Sequence, residues 1–224
     1  MKIMIRGDST KKGTGIQIFG DYSDLKQLHQ TLYRLCEAPN DSDKNPITNI
    51  ILNFAYEVRK AYSGQRLKDN LEFHGGHKND YLGFQYLWTD MVVTLNALRF
   101  QAGLVTTTEM DQANIYLLEY ITKGSLDQYD VQGAQLIKRY IVGGIDVTNR
   151  LLEQITQYIN ILYLGQKPSK SRFRNIPKLF NYYSPLSTEY KSFDSEIRKQ
   201  ANQFGIPLEE VSYDESNYPE EIIW

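Results

Sequence analysis

Tyr81-Leu82-Gly83-Phe84-Gln85-Tyr86-Leu87-Trp88-Thr89-Asp90-Met91-Val92-Val93-Thr94-Leu95-Asn96-Ala97-Leu98-Arg99-Phe100 is the most apolar run of the chain. Phe84, Leu87, Trp88, Met91, Leu95, Leu98 and Ala102 recur at three and four residues, with Val92 and Phe100 widening the stripe. That spacing predicts one central helix, with Asp80 as its N-cap and Gly103 as its end. Gln85, Asp90, Asn96 and Arg99 interrupt it, which rules against an uninterrupted membrane span of about 20 apolar residues. The run is therefore a core helix, and the fold class follows from it: mainly α.

Immediately upstream, Asn45-Pro46 pairs a capping side chain with a proline at the first helical position. Ile47, Ile50, Ile51, Phe54, Val58, Ala61 and Tyr62 then form one apolar face, and Gly64 is a stop. Farther back, Lys2 to Arg6 and Ile16 to Phe19 favour β structure and are joined by a polar stretch with glycines, a hairpin pattern. That connector holds lysines and hydroxyls but lacks the phosphate-loop order of Gly, four residues, Gly-Lys-Ser/Thr, and it leads into a strand, so nucleotide binding is not expected there. A helix follows on Leu25, Leu28, Leu32 and Leu35.

Downstream, Thr107 or Thr108 with Asp111 predicts the start of a helix that stops at Gly124-Ser125. Ser125 to Gln128 then predicts a capping box for the next helix, and another runs from about Asp146 to Gly165. From Lys167 to Lys178 the charges are Lys167, Lys170, Arg172, Arg174 and Lys178 with no acid, which predicts a basic, extended connector. A last helix fits between Pro185 and Phe204, and the tail beyond Ile206 is acidic. The tail either folds back on the basic connector, or each recruits something of opposite charge. The expected architecture is α+β, an N-terminal β-hairpin packed on a multi-helix bundle. Residues 1–165 form the core domain, and 166–224 supply the connector, the last helix and the tail, packed on that core.

With 224 residues the chain can bury a sizeable core without disulfides or metal. Its formal charge of −2 gives no general pull toward nucleic acid or an anionic membrane. Cys36 is the only cysteine, so an internal disulfide and a four-cysteine zinc site are excluded, and a reducing compartment fits best. The N-terminal apolar run is too short for a signal peptide, and the expected location is the cytoplasm, with no membrane contact.

Candidate chemistry concentrates between the helix that starts at Pro46 and the central helix. Two of the three histidines, His74 and His77, flank Gly75-Gly76, with Glu72 and Asp80 beside them and Arg59 and Arg66 upstream. Imidazoles three residues apart with a carboxylate at Asp80 suit a divalent transition metal, and the two arginines suit a phosphate-containing substrate. Histidine general acid–base catalysis without metal is a variant. The spacing matches no named zinc motif, and a polar loop between helices carries such residues without any activity.

Two further signals concern partners. Lys170, Arg172 and Arg174 beside Phe173 form a basic and aromatic pattern that nucleic acid would recognise, although an acidic tail in the same chain is the simpler counter-charge. The 17 tyrosines suit interfaces. A hairpin also leaves a sheet edge that a second copy could cover, so a homo-oligomer or another protein is the expected partner.

Lys12-Gly13-Thr14-Gly15-Ile16 with Phe19-Gly20-Asp21-Tyr22, Phe54-Ala55-Tyr56-Glu57-Val58-Arg59-Lys60-Ala61-Tyr62 with Gly64, and Leu87-Trp88 with Asn96 and Leu98-Arg99 resemble a family of uncharacterised bacterial proteins over the first half of the chain. The resemblance implies a bacterial cytosolic origin and carries over no catalytic residue. The expected function is thus that of a cytosolic binding or interaction protein, self-association included, with no cofactor required. The rival is a metal- or histidine-dependent hydrolase centred on His74–His77.

Overall fold

The computed structural model describes residues 5–37, 45–72, 78–213 and 217–224. The first described elements form a hairpin, strands β1 (Arg6–Ser9) and β2 (Gly15–Gly20), paired antiparallel with Arg6 opposite Phe19 and Ser9 opposite Ile16; β1 takes in Gly7, Asp8 and Ser9 of the expected connector, and residues 2–4 of the expected first strand lie outside the described residues. Its turn is closed by the Thr10 hydroxyl, which accepts the N–H groups of Thr14 and Gly15, both at 3.0 Å. Gly13 has φ +66°, and a Cβ there would fall 2.0 Å from the Tyr129 ring, so backbone and packing both select glycine.

The first correction concerns the opening stretch. Lys78–Leu87 is strand β4, and the central helix, α3, runs only from Trp88 to Ala102. β4 pairs antiparallel with β2, placing Leu82 to Leu87 opposite Gly20 to Gly15, and with strand β3 (Leu67–Glu72) on its other side. The sheet order is β1-β2-β4-β3. Phe84-Leu87-Trp88 fits a helical stripe, but Leu82-Phe84-Tyr86 fits a strand equally well, and aromatic residues favour the strand. What decides is non-local: β2 needs a second partner for its backbone groups, and Gly15 lets β4 approach so closely that a Cβ would sit 2.0 Å from the Tyr86 carbonyl oxygen.

The helices are α1 (Tyr22–Leu35), α2 (Pro46–Tyr62), α3, α4 (Glu109–Tyr129), α5 (Val131–Ile137), α6 (Leu152–Leu164), α7 (Lys170–Leu179) and α8 (Thr188–Phe204). Asn45 caps α2 as expected, its side chain accepting from Ile47 N–H at 2.9 Å. Thr108 and Asp111 form the capping box of α4. That helix continues through Gly124-Ser125 instead of stopping there, because Ser125 turns its hydroxyl back onto the Ile121 carbonyl at 2.7 Å and does not cap. The break comes at Asp130, whose side chain accepts from Gly133 N–H and starts α5.

α3 is buried nearly all round, from Trp88 through Met91, Val92, Val93 and Leu95 to Leu98, as befits a helix enclosed by others. The apolar core is continuous from Ile16 and Ile18 through Phe54 and Trp88 to Phe173, Ile197 and Val211. Each such side chain contributes about 1.5–3 kcal/mol on burial. No described helix is long and apolar enough to cross a membrane.

The basic connector is the second correction. From Lys170 onward it is helix α7, and Lys170, Arg172 and Arg174 find partners within the fold. Arg174 grips Asp130 through two bonds of 2.7 and 2.8 Å, and Lys170 lies 3.7 Å from the same carboxylate. Arg172 is 3% exposed, donates to the Thr14 hydroxyl and the Gln166 carbonyl, and lies 4.5 Å over the Tyr163 ring. Among the described residues, Asp130 is the counter-charge of Lys170 and Arg174. The hairpin edge is also used internally: β4 takes β2, and Ser9 N–H donates to the Gln128 side chain of α4 at 2.7 Å.

Candidate functional site

Polar side chains on three helices converge where the end of β4 meets α3. On α2 the spacing of Ile50, Asn53 and Glu57 puts them on one face. On α6 Glu153, Thr156, Gln157 and Asn160 do the same, and on α3 Asp90 and Thr94 are one turn apart. Together with Tyr56, Tyr86 and Tyr218 they line a cavity of about 380 Å³. A second cavity of about 470 Å³ shares Glu57, Tyr86, Asp90, Asn160 and Tyr218 and extends toward Arg66, Ile222 and Trp224. The two make one cleft, crossed at one end by the C-terminal residues.

Asp90 is the centre of the cleft. The Thr89 hydroxyl donates to Asn160 Oδ1 at 2.6 Å, which fixes the amide so that its Nδ2 donates to Asp90 Oδ1 at 2.7 Å. Burial pushes the Asp90 carboxyl up to about 6, against the pull of that single bond. A carboxylate in the first turn of a helix is ordinarily favoured by the dipole, so here desolvation wins over position.

The neighbours share the pattern. Burial, and then the Asp90 charge, hold the Tyr86 hydroxyl well above its ordinary value, and the same two causes lift Tyr218 to about 12. Glu153 is raised by burial, with a bond from Asn49 opposing. Arg66 holds Glu57 through Nε at 2.7 Å and Nη2 at 2.9 Å. Three carboxylates thus face the cleft, and Arg66 is the one cation among its described lining residues, already committed to Glu57.

A family model described as a domain of unknown function, DUF6904, matches residues 5–224. The chain belongs to the DUF6904 family. The match spans both halves of the chain, beyond the first half on which the sequence resemblance rested. Neither the curated proteins nor the solved structures yield a match.

The histidines that drew attention in the DUF6904 sequence, His74 and His77, lie outside the described residues. Asp80 is in β4 with its backbone opposite Asn70. Arg66 reaches the cleft but is spent on Glu57. Arg59 lies 5.3 Å over the Tyr56 ring, and its charge, after burial, holds His29 below its ordinary value. The structure therefore brings Arg66 to the cleft, while Arg59 packs on Tyr56. Among the described residues no group of three His, Cys, Asp or Glu side chains is arranged to hold a metal ion. Asp90, Glu153, Asn160, Tyr86 and Tyr218 were not singled out from the DUF6904 sequence. A signal for Asp90 was present, a carboxylate beside the most apolar stretch, but it served only to argue against a membrane span.

Proposed function

We propose that this protein binds a small polar cation, an amine or guanidinium compound, in the Asp90 cleft. The observation that carries the proposal is the charge balance of the described lining residues: Glu57, Asp90 and Glu153 against Arg66. A bound cation supplies the positive partner that Asp90 and Glu153 lack. Asn53, also on the cleft wall, offers a carbonyl acceptor of the kind that N–H donors require.

Isothermal titration with putrescine and agmatine, with inorganic phosphate and glucose as anionic and neutral controls, tests this. The two cations bind at pH 8, the controls do not, and Asp90→Asn abolishes the heat. As pH falls through about 6, Asp90 takes up its proton and affinity declines; near pH 6 binding releases part of that proton into buffer. Cations that fail to bind, or that bind Asp90→Asn unchanged, overturn the proposal.

A pKa of about 6 also suits Asp90 to accept and return a proton near neutral pH, so general acid–base chemistry on the bound ligand is a second reading of the same cleft. The rival hydrolase centred on His74–His77 calls for Arg59 or Arg66 to clamp phosphate, and of these Arg66 is engaged by Glu57. Self-association remains a proposal through the edge strand β3, and light scattering at micromolar concentration tests it: a monomer refutes it.

A further inference from the structure

A separate cavity of about 330 Å³ opens between α6, the 3-10 turn Phe180–Tyr183, α8 and Tyr213. Its walls are aromatic: Tyr158, Tyr182, Phe193 and Tyr213. Tyr158 is the hub, with ring centroids 5.3 Å from Tyr182, 5.3 Å from Phe193 and 5.5 Å from Tyr213. The planes do not share one stack: Tyr182 stands at 70° to Tyr158 and at 85° to Phe193, whereas Tyr158 is tilted by 43° to Phe193 and by 35° to Tyr213. Phe193 is buried, whereas the three tyrosines are half-buried.

The charge of the lining has one sign. Glu196 is on the wall, the remaining polar side chains are those of Ser192 and Ser195, and no lysine or arginine is among the described lining residues. Burial, followed by Tyr158, Glu196 and Tyr182, raises the Tyr213 hydroxyl above its ordinary value, so Tyr213 stays neutral and its ring face keeps its partial negative charge.

We infer that this cavity is a cage for a methylated ammonium group carried by a small molecule, with the Tyr158, Tyr182 and Tyr213 faces supplying cation–π attraction and Glu196 the counter-charge. A quaternary ammonium has no N–H to donate, so it gains little from the amide-rich Asp90 cleft and most from converging π faces. The two sites thus divide cations by chemistry: hydrogen-bond donors to Asp90, methylated cations to the tyrosine cage.

Titration of the full chain with tetramethylammonium and choline, against the uncharged isostere 3,3-dimethylbutan-1-ol, tests the cage. Both cations bind, and the isostere binds about tenfold or more weakly, the loss expected for a desolvated cation–π contribution. Tyr182→Leu weakens choline binding to a similar degree, Tyr182→Phe keeps it because the ring face remains, and Glu196→Gln, on an exposed position, weakens it by about twofold to fivefold. Asp90→Asn leaves it unchanged. Phosphatidylcholine vesicles at the same choline concentration leave the chain in the supernatant. Equal affinity for choline and the isostere, equal loss in Tyr182→Leu and Tyr182→Phe, loss in Asp90→Asn, or co-sedimentation with vesicles would each overturn the inference. Should Tyr182→Leu melt far below the parent, the isostere comparison and Glu196→Gln carry the test unaided.

Discussion

Replacing Asp90 by asparagine should make the protein more stable while removing its proposed ligand. In the folded chain the carboxyl is held at about 6 instead of the ordinary 3.8, because burial disfavours its charge. One pKa unit corresponds to about 1.4 kcal/mol, so above pH 7 the ionised side chain costs the folded state ~3 kcal/mol. Between 3.8 and 6 the folded chain binds this proton more tightly than the unfolded chain, so stability falls as pH rises through that window. Below 3.8 both states are protonated and the cost vanishes. An asparagine side chain has the same shape as the aspartate it replaces, and its carbonyl can still accept from Asn160 Nδ2. At 2–4 °C per kcal/mol for a chain of this size, Asp90→Asn should raise Tm by about 6–12 °C at pH 7.5. At pH 4 the gain should shrink to under ~1 kcal/mol. Thermal melts of both proteins at the two pH values decide the matter. A variant no more stable than the parent at pH 7.5, or one whose gain is the same at pH 4, would show that the side chain is not a desolvated carboxylate. The reasoning would then fail at its root.

Arg66→Ala should tighten cation binding, since it frees Glu57 to face the cleft; a pair of this exposure carries about 0.2–1 kcal/mol, so titration should show at most a fivefold gain, and a loss would mean that Arg66 contacts the ligand. Asp130→Ala removes the cap of α5, worth about 1 kcal/mol, together with the anchor of Arg174, and urea melts should show the loss. Arg174 and then Gly133 hold Asp130 at about 2 against burial, so its contribution is present above 3.8 and lost as pH falls through about 2; a difference between parent and Asp130→Ala that persists below pH 2 would contradict this. Gly13→Ala demands φ +66° of an L residue and places a methyl on the Tyr129 ring; a cost of about 2 kcal/mol or more is expected, and an unchanged Tm would refute the turn geometry.

What the sequence conveyed well was local. The Asn45-Pro46 start of α2 and the Thr108–Asp111 box of α4 are interactions within a few residues, and both stand where their side chains put them. What it conveyed poorly depended on distant partners. Tyr81 to Leu87 satisfies helical and strand periodicity at once, and only pairing with Gly15–Gly20, far upstream in the chain, settles it. Ser125 has the right neighbours for a cap but no helix end to serve. The basic run from Lys167 could not disclose that Asp130 was its partner. The cleft was least legible of all, because Glu57, Asp90, Glu153 and Tyr218 come from four separate stretches of chain and no two of them share a motif.

The carboxylates of this chain separate into two kinds, and burial alone does not divide them. Asp111 is 1% exposed, and desolvation pushes it upward as it does Asp90. Yet Asp111 ends at about 2, because the Thr108 N–H at 2.8 Å, the Thr108 hydroxyl at 2.7 Å, the Thr31 hydroxyl at 2.8 Å and Arg34 all donate to it. Asp130 is brought to the same value by Arg174 and Gly133. In both cases the fold supplies enough donors to offset the desolvation, and the side chain ties helices together. Asp90 receives one neutral bond, from an amide itself locked by Thr89, and ends at about 6. A chain able to satisfy two buried aspartates with arginines leaves a third short of donors at the wall of a cleft, where something outside the chain can reach it. Strain of that kind persists where a ligand relieves it, and the donor that Asp90 lacks is the positive group of the cation it is proposed to bind.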